Sequence, residues 1–235
     1  MNDIILMVRE DLRKNSDEKT RLSSQNYFRE KILFHGVKMP VVKRIAREYF
    51  REIRVLPKAE ILGLCEPLWQ SGYLEESIIV CHWTEAIGRL YVESDFTTFE
   101  RWISSYVNNW ATCDTFCNHT VGDFIMKYPA FLENLKAMAR SENRWMRRAS
   151  AVSLIVPARK GLFPDDIRDL ATILLTDSDD MVQKGYGWML KAASQAHQQE
   201  IFDFVMANKA VMPRTALRYA IEKMPPDLRT LAMEK

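Results

Sequence analysis

The chain is 235 residues long, 47% hydrophobic and 27% charged, and its 33 basic residues nearly cancel 31 acidic ones, leaving a formal net charge of +2. A sizeable core is within reach and wholesale disorder is excluded. Eight glycines and nine prolines are few enough to leave long helices uninterrupted.

Helical periodicity prevails and strand alternation is scarce. The first predicted helix spans 3–14; the apolar run in Met1–Glu10 is short and flanked by charge, unlike a secretory leader, and no stretch approaches the roughly 18 apolar residues of a membrane span. A reduced, soluble, cytoplasmic protein is expected. Helices over 18–32 and 40–53 follow. Around the latter, Lys38, Lys43, Arg44, Arg47, Arg51 and Arg54 face only Glu48 and Glu52. Next come helices over 58–70, 74–90, 95–107, 111–127 and 130–141, with acid gathered at Glu75-Glu76. The chain ends with helices over 144–159, 165–176, 179–196, 198–207, 212–223 and 226–234. Arg140, Arg144, Arg147, Arg148, Arg159 and Lys160 form a second basic cluster opposed only by Glu142, and Asp177, Asp179 and Asp180 an acidic one. Such segregation suits a cationic face for a polyanion, although any single cluster also reads as ordinary helix-surface charge.

The segments repeat. Asn108-Asn109-Trp110 recurs as Asn143-Arg144-Trp145 after 35 residues, and Arg148-Ala149 as Lys184-Gly185 after 36 and Arg214-Thr215 after 30 more. Val37-Lys38-Met39-Pro40 and Tyr73-Leu74-Glu75-Glu76 open helices at about the same spacing. A period in the mid-thirties with two helices per unit is the signature of a helical solenoid, closer to HEAT-like units than to tetratricopeptide or ankyrin repeats. The expectation is an all-α, curved solenoid of HEAT-like antiparallel helix pairs with a concave basic groove, a single domain over 1–235 and a monomer. Equivalent helices of such an array line one surface, and the 35-residue register sets Arg148 against Cys113.

Trp110 and Asp114, one helical turn apart, share a face and offer a ring and a carboxylate side by side, which suits a developing cation. Taken singly, Trp110 or Trp188 reads as a tryptophan buried between helices, and Asp114 as a solvated or helix-end residue. The conjunction with Arg148 favours chemistry. Cys65, Cys81, Cys113 and Cys117 form no Cys-x-x-Cys, and Cys113, Cys117 and His119 lack a fourth ligand, so buried thiols are expected and no metal or cofactor. His35, His82, His119 and His197 have no common spacing and no assigned role.

The ordered set Trp110-x-x-x-Asp114, Trp145-Met146-Arg147-Arg148-Ala149 and Lys184-Gly185-Tyr186-Gly187-Trp188 resembles the AlkD-like family of DNA alkylation repair enzymes, the HEAT-like-repeat alkylpurine DNA glycosylases, along a span from Tyr27 to Arg214. The resemblance implies a hydrolase of base excision repair that grips duplex DNA and cleaves the N-glycosidic bond of cationic N3- and N7-alkylated purines without flipping the base. It implies that Asp114 stabilises the oxocarbenium-like sugar and positions water, that Trp110 and Trp188 pack on the deoxyribose, and that Arg148 holds a phosphate beside the lesion. Tyr27, Lys43, Arg44, Arg147, Arg159, Lys184 and Arg214 are the further expected DNA contacts. Ala111 stands where the family often has an acidic residue, and Cys113 where it has an aliphatic one. Two other readings stay open: a weak or inactive paralogue that binds branched or distorted DNA, and a HEAT-type protein-interaction scaffold.

Overall fold

The computed structural model describes residues 2–234, the side chain of Asn2 excepted. Among the described residues the chain is all-helical, with one isolated parallel bridge between Leu33 and Tyr73 and no named strand. It packs as two compact units, Met1–Phe116 and Cys117–Lys235.

The first unit contains α1 (Asn2–Lys14), α2 (Glu18–Ser24), α3 (Met39–Ile53), α4 (Lys58–Gln70), α5 (Leu74–Ala86), α6 (Asp95–Tyr106) and α7 (Trp110–Phe116). α3, α5 and α7 form one row, each packed on the next, and α4 packs on α6 beside it. α3 buries Val42, Ile45, Ala46, Tyr49 and Ile53, the stripe of an amphipathic helix. α5 lies between neighbours and buries an unbroken run from Leu74 to Cys81. Trp69, Trp102 and Phe116 fill the core below it, with ring centroids 5.6–6.1 Å apart in edge and tilted pairs.

The second unit opens with a π turn at Cys117–Val121 and continues with α8 (Gly122–Lys127), α9 (Leu132–Met138), α10 (Arg144–Val152), α11 (Ile155–Arg159), α12 (Pro164–Ile173), α13 (Asp180–Ala193), α14 (Gln198–Asn208), α15 (Arg214–Ala220) and α16 (Pro226–Met233). Here α10, α13 and α15 form a row, while α9 packs on α12 and α14 on α16.

Side chains tie neighbouring repeats together at about one period. The Trp83 indole donates to the Ala46 carbonyl at 2.9 Å, and Lys58 pairs with Asp95 at 2.6 Å. Arg147 meets Asp177 at 2.6 Å and Lys191 meets Glu222 at 2.9 Å. Each link spans 30 to 37 residues, the spacing of the repeat itself.

The helix starts correct the register by one residue. Asn109 Oδ1 accepts from Thr112 N at 2.9 Å, Asn143 Oδ1 from Trp145 N at 2.9 Å, and Asp179 Oδ1 from Met181 N at 2.8 Å. Asn143 therefore corresponds to Asn109, not Asn108, a period of 34. Measured from these caps, Asp114, Arg148 and Lys184 are each the fifth residue onward in their helices, and Arg148 aligns with Asp114, not Cys113. The same count from the Pro213 cap reaches Arg218, not Arg214.

Several predicted helices are shorter than expected. The 18–32 prediction ends in a 3-10 turn at Gln25–Tyr27, and an extended segment follows. The 111–127 prediction is interrupted by the π turn, and 144–159 breaks at 153–154. Pro157 explains the second break, because its ring occupies the space beside the carbonyl of residue 153 and supplies no N–H. Gly122 also lies against that carbonyl; a Cβ there would stand 2.8 Å from Ser153 O.

Candidate active site

In the first unit, α7 carries Trp110 and Asp114, both half-buried, on the face expected from their spacing. Trp110 is held by the segment that replaces the predicted helix end. Its indole Nε1 donates to the Tyr27 carbonyl at 3.3 Å, and one face of its ring stacks on Phe28 at 5.4 Å and 19°. Tyr27 beside it leaves its side chain 75% exposed. One face of Trp110 is thus occupied by protein.

The segment after Phe28 is fixed by two buried carboxylates. Glu75 accepts from the backbone N–H groups of His35, Gly36 and Val37 at 3.0, 2.9 and 3.0 Å. Glu76 pairs with Arg9 at 3.0 Å and with His35 Nε2 at 2.9 Å, and the His35 ring stacks on Tyr73 at 4.0 Å. Both acids are 1% exposed, so the acid gathered at Glu75-Glu76 in the sequence serves as a buried anchor. Gly36 turns with φ +87°, and a Cβ there would lie 2.7 Å from Asp17 O, so only glycine fits.

In the second unit, Arg148 is 5% exposed and its guanidinium donates to the Met181 carbonyl at the start of α13. Gly185 makes room for it: a Cβ at that position would stand 3.3 Å from Arg148 Cγ. Gly187 lets α15 approach, since a Cβ there would lie 2.7 Å from Tyr219 Cβ and 2.8 Å from Ala216 O. Tyr186, between the glycines, points into the core and donates to the Leu175 carbonyl at 2.9 Å; burial raises its pKa and keeps it neutral. Trp188 is half-buried, with Lys191 Nζ 5.9 Å from its ring centroid.

The other expected DNA contacts differ in availability. Lys43, Arg159 and Arg214 are exposed. Arg44 pairs with Glu48 at 2.9 Å and Lys184 with Asp180 at 2.7 Å, both within a helix turn. Arg147 is engaged by Asp177 and by the carbonyls of Ser141 and Glu142 at 2.9 Å, which ties it to the fold. Among the described residues no group of three or more His, Cys, Asp or Glu could hold a metal, and all four cysteines are free and buried. Among the described residues no helix is long and apolar enough to cross a membrane.

The sequence carries no signal for the contact made by Phe28 or for the repeat position of Arg218, and it shows Glu75 and Glu76 only as a local acidic pair. Asn26-Tyr27-Phe28-Arg29 carries no motif, and Arg218 becomes visible only once the caps set the repeat frame.

The geometry defines an all-α repeat protein that offers a tryptophan ring and a carboxylate, both partly open, from one helix. The chain belongs to the DNA alkylation repair enzyme family, whose model matches residues 8–224. A solved structure described as a predicted DNA alkylation repair enzyme from Enterococcus faecalis shares its fold, with a TM-score of 0.81 at 16% identity over 90% of this chain and 98% of that one. No curated protein gives a significant match.

Proposed function

We propose that this protein is a DNA glycosylase that releases cationic N3- and N7-alkylated purines from duplex DNA. The observation that carries the reading is the pairing on α7 of Asp114 with a Trp110 ring held on one face by Phe28, within a DNA alkylation repair family. An alkylated purine is already positively charged, so its departure needs no strong general acid. As the C1′–N bond breaks, its electron pair neutralises the leaving base and positive charge develops on the sugar. In this reading Asp114 stabilises that charge and orients the water that adds at C1′, the water's proton passing to bulk solvent as the neutral base departs. The open faces of Trp110 and Trp188 pack on the deoxyribose, adding about 0.5–2 kcal/mol each through the ring quadrupole. Lys184 meets a backbone phosphate, as do the exposed Lys43 and Arg159, whereas Arg148, expected to hold one, is buried with its guanidinium on the Met181 carbonyl and instead fixes the start of the helix that carries Lys184 and Trp188.

Release of 7-methylguanine from methylated duplex DNA tests this directly. The wild type is expected to release base, and Asp114→Asn to lose at least about 100-fold in rate, the scale of a lost transition-state charge interaction. Wild-type release by that variant would remove Asp114 from the mechanism. Salt-dependent DNA binding with no release from any alkylated substrate would favour a binding-only paralogue.

A further inference from the structure

The cations of the second unit fall into two groups. Most are engaged: Arg144 with Asp179 at 3.2 Å, Arg147 with Asp177 at 2.6 Å, Lys136 with Asp166 at 2.9 Å, Arg168 with Glu200 at 2.7 Å. Arg214, Arg218 and Arg229 differ. All three are exposed, and none makes a hydrogen bond or ion pair with a described residue. They line one cleft of about 1070 Å³ between α15 and α16, together with Thr215, Tyr219 and Met233.

Two acids also border the cleft, but Glu222 is drawn to Lys191 at 2.9 Å, which leaves the arginines in excess. The cleft is continuous with the row of helices that carries Arg148. Arg218 occupies in α15 the position that Arg148 and Lys184 occupy in α10 and α13, and these three helices pack in succession. Lys191 joins the cleft to Trp188, with Nζ 5.3 Å from the Tyr219 ring and 5.9 Å from that of Trp188.

We propose that the α15–α16 cleft is a phosphodiester-binding site that takes the backbone of the DNA duplex flanking the lesion, an inference that rests on the proposed action on DNA. Guanidinium forks match phosphate oxygens in geometry and charge, and Thr215 and Tyr219 add hydroxyl donors. Three unpaired arginines on one cleft act as a grip on the strand and carry no base information.

The test is binding of the full-length protein to a short, labelled, unmodified duplex across a salt series, with folding checked by thermal melts. Arg214→Ala/Arg218→Ala/Arg229→Ala should lower the slope of log affinity against log salt by about 2–3 and weaken binding at least about 10-fold near physiological salt. The charge-matched variant Arg13→Ala/Lys14→Ala/Lys19→Ala should keep a slope near that of the wild type. An unchanged slope in the cleft variant, or equal loss in both variants, overturns the proposal. Undamaged DNA separates this from the glycosylase reading. Loss of slope with no base release by the wild type leaves the cleft standing and the activity refuted; base release with an unchanged slope does the reverse.

Discussion

The two units bury charges of opposite sign and put them to different uses. The first buries Glu75 and Glu76, the second Arg148. The two acids are met by donors from α1 and from residues 35–37, a stretch that would otherwise be a loose connection, and turn it into a fixed support for Trp110. Arg148 lies where a glycine has left space, against a helix start. The first arrangement holds Trp110 from a distance through added contacts; the second places Arg148 directly by removing volume. The difference predicts how each unit fails.

Breaking the carboxylate anchor should have the largest effect on stability. Glu76→Ala leaves Arg9 and His35 facing a buried void, and a loss of about 3–5 kcal/mol is expected by denaturant unfolding. A loss below about 1 kcal/mol would make the anchor incidental. On the other side of the comparison, Gly187→Ala drives a Cβ into Tyr219 and the Ala216 backbone, with an expected cost of about 1–3 kcal/mol. Gly185→Ala meets side chains as its nearest neighbours, Arg148 Cγ at 3.3 Å and Val152 Cγ1 at 3.6 Å, so it should cost less stability than Gly187→Ala while still lowering base release. Equal stability losses at the two glycines would contradict the division of labour between them.

Much of this was legible in the sequence, for a physical reason. Helix pairs at a fixed period leave local marks, such as the helical periodicity over 40–53 and 179–196 and the recurrence of Asn108-Asn109-Trp110 as Asn143-Arg144-Trp145, and these are read without tertiary information. The i, i+4 placement of Trp110 and Asp114 is equally local. What escaped depends on distant partners. Glu75-Glu76 looks like a solvated acidic pair until three backbone N–H groups from residues 35–37 meet it. The 18–32 prediction overran because that same anchor favours an extended chain over another helical turn. Arg147 belonged to the basic cluster by composition, yet Asp177, 30 residues on, engages it. The one-residue error in register had the smallest cause and a large consequence, since it set Arg148 against Cys113 and hid Arg218.

Acid offers a milder probe of the first unit. Glu66 receives both arms of Arg101 at 2.7 and 2.8 Å, the Tyr106 hydroxyl at 2.6 Å and the Trp102 indole at 2.7 Å. Arg101 chiefly, then Tyr106 and Trp102, pull its pKa from 4.5 down to about 2 against the opposing effect of burial. A carboxyl depressed in the folded state stabilises fully above its unfolded pKa, and that stabilisation is lost as the pH falls from about 4.5 towards 2. The site is partly open to solvent, so about 1–2 kcal/mol is expected, and Glu66→Gln should flatten stability across that window. An unaltered acid profile in the variant would assign the pH dependence to other groups.

The smallest effect on stability, and the most informative for function, should come from Phe28. Its ring covers one face of Trp110, a contact worth about 1 kcal/mol at a half-buried site. Phe28→Ala should therefore unfold almost as the wild type does, yet free Trp110 to turn about a single long hydrogen bond to Tyr27 O. If Trp110 must present its other face to the sugar, the loss falls on kcat for base release more than on KM, because the ring acts on charge that develops only in the transition state. Phe28→Tyr keeps the stacking surface and should restore the rate. A Phe28→Ala enzyme with unchanged kcat, or a Phe28→Tyr enzyme as slow as it, would show that the stack serves the fold alone and that the anchor behind it has no part in the chemistry.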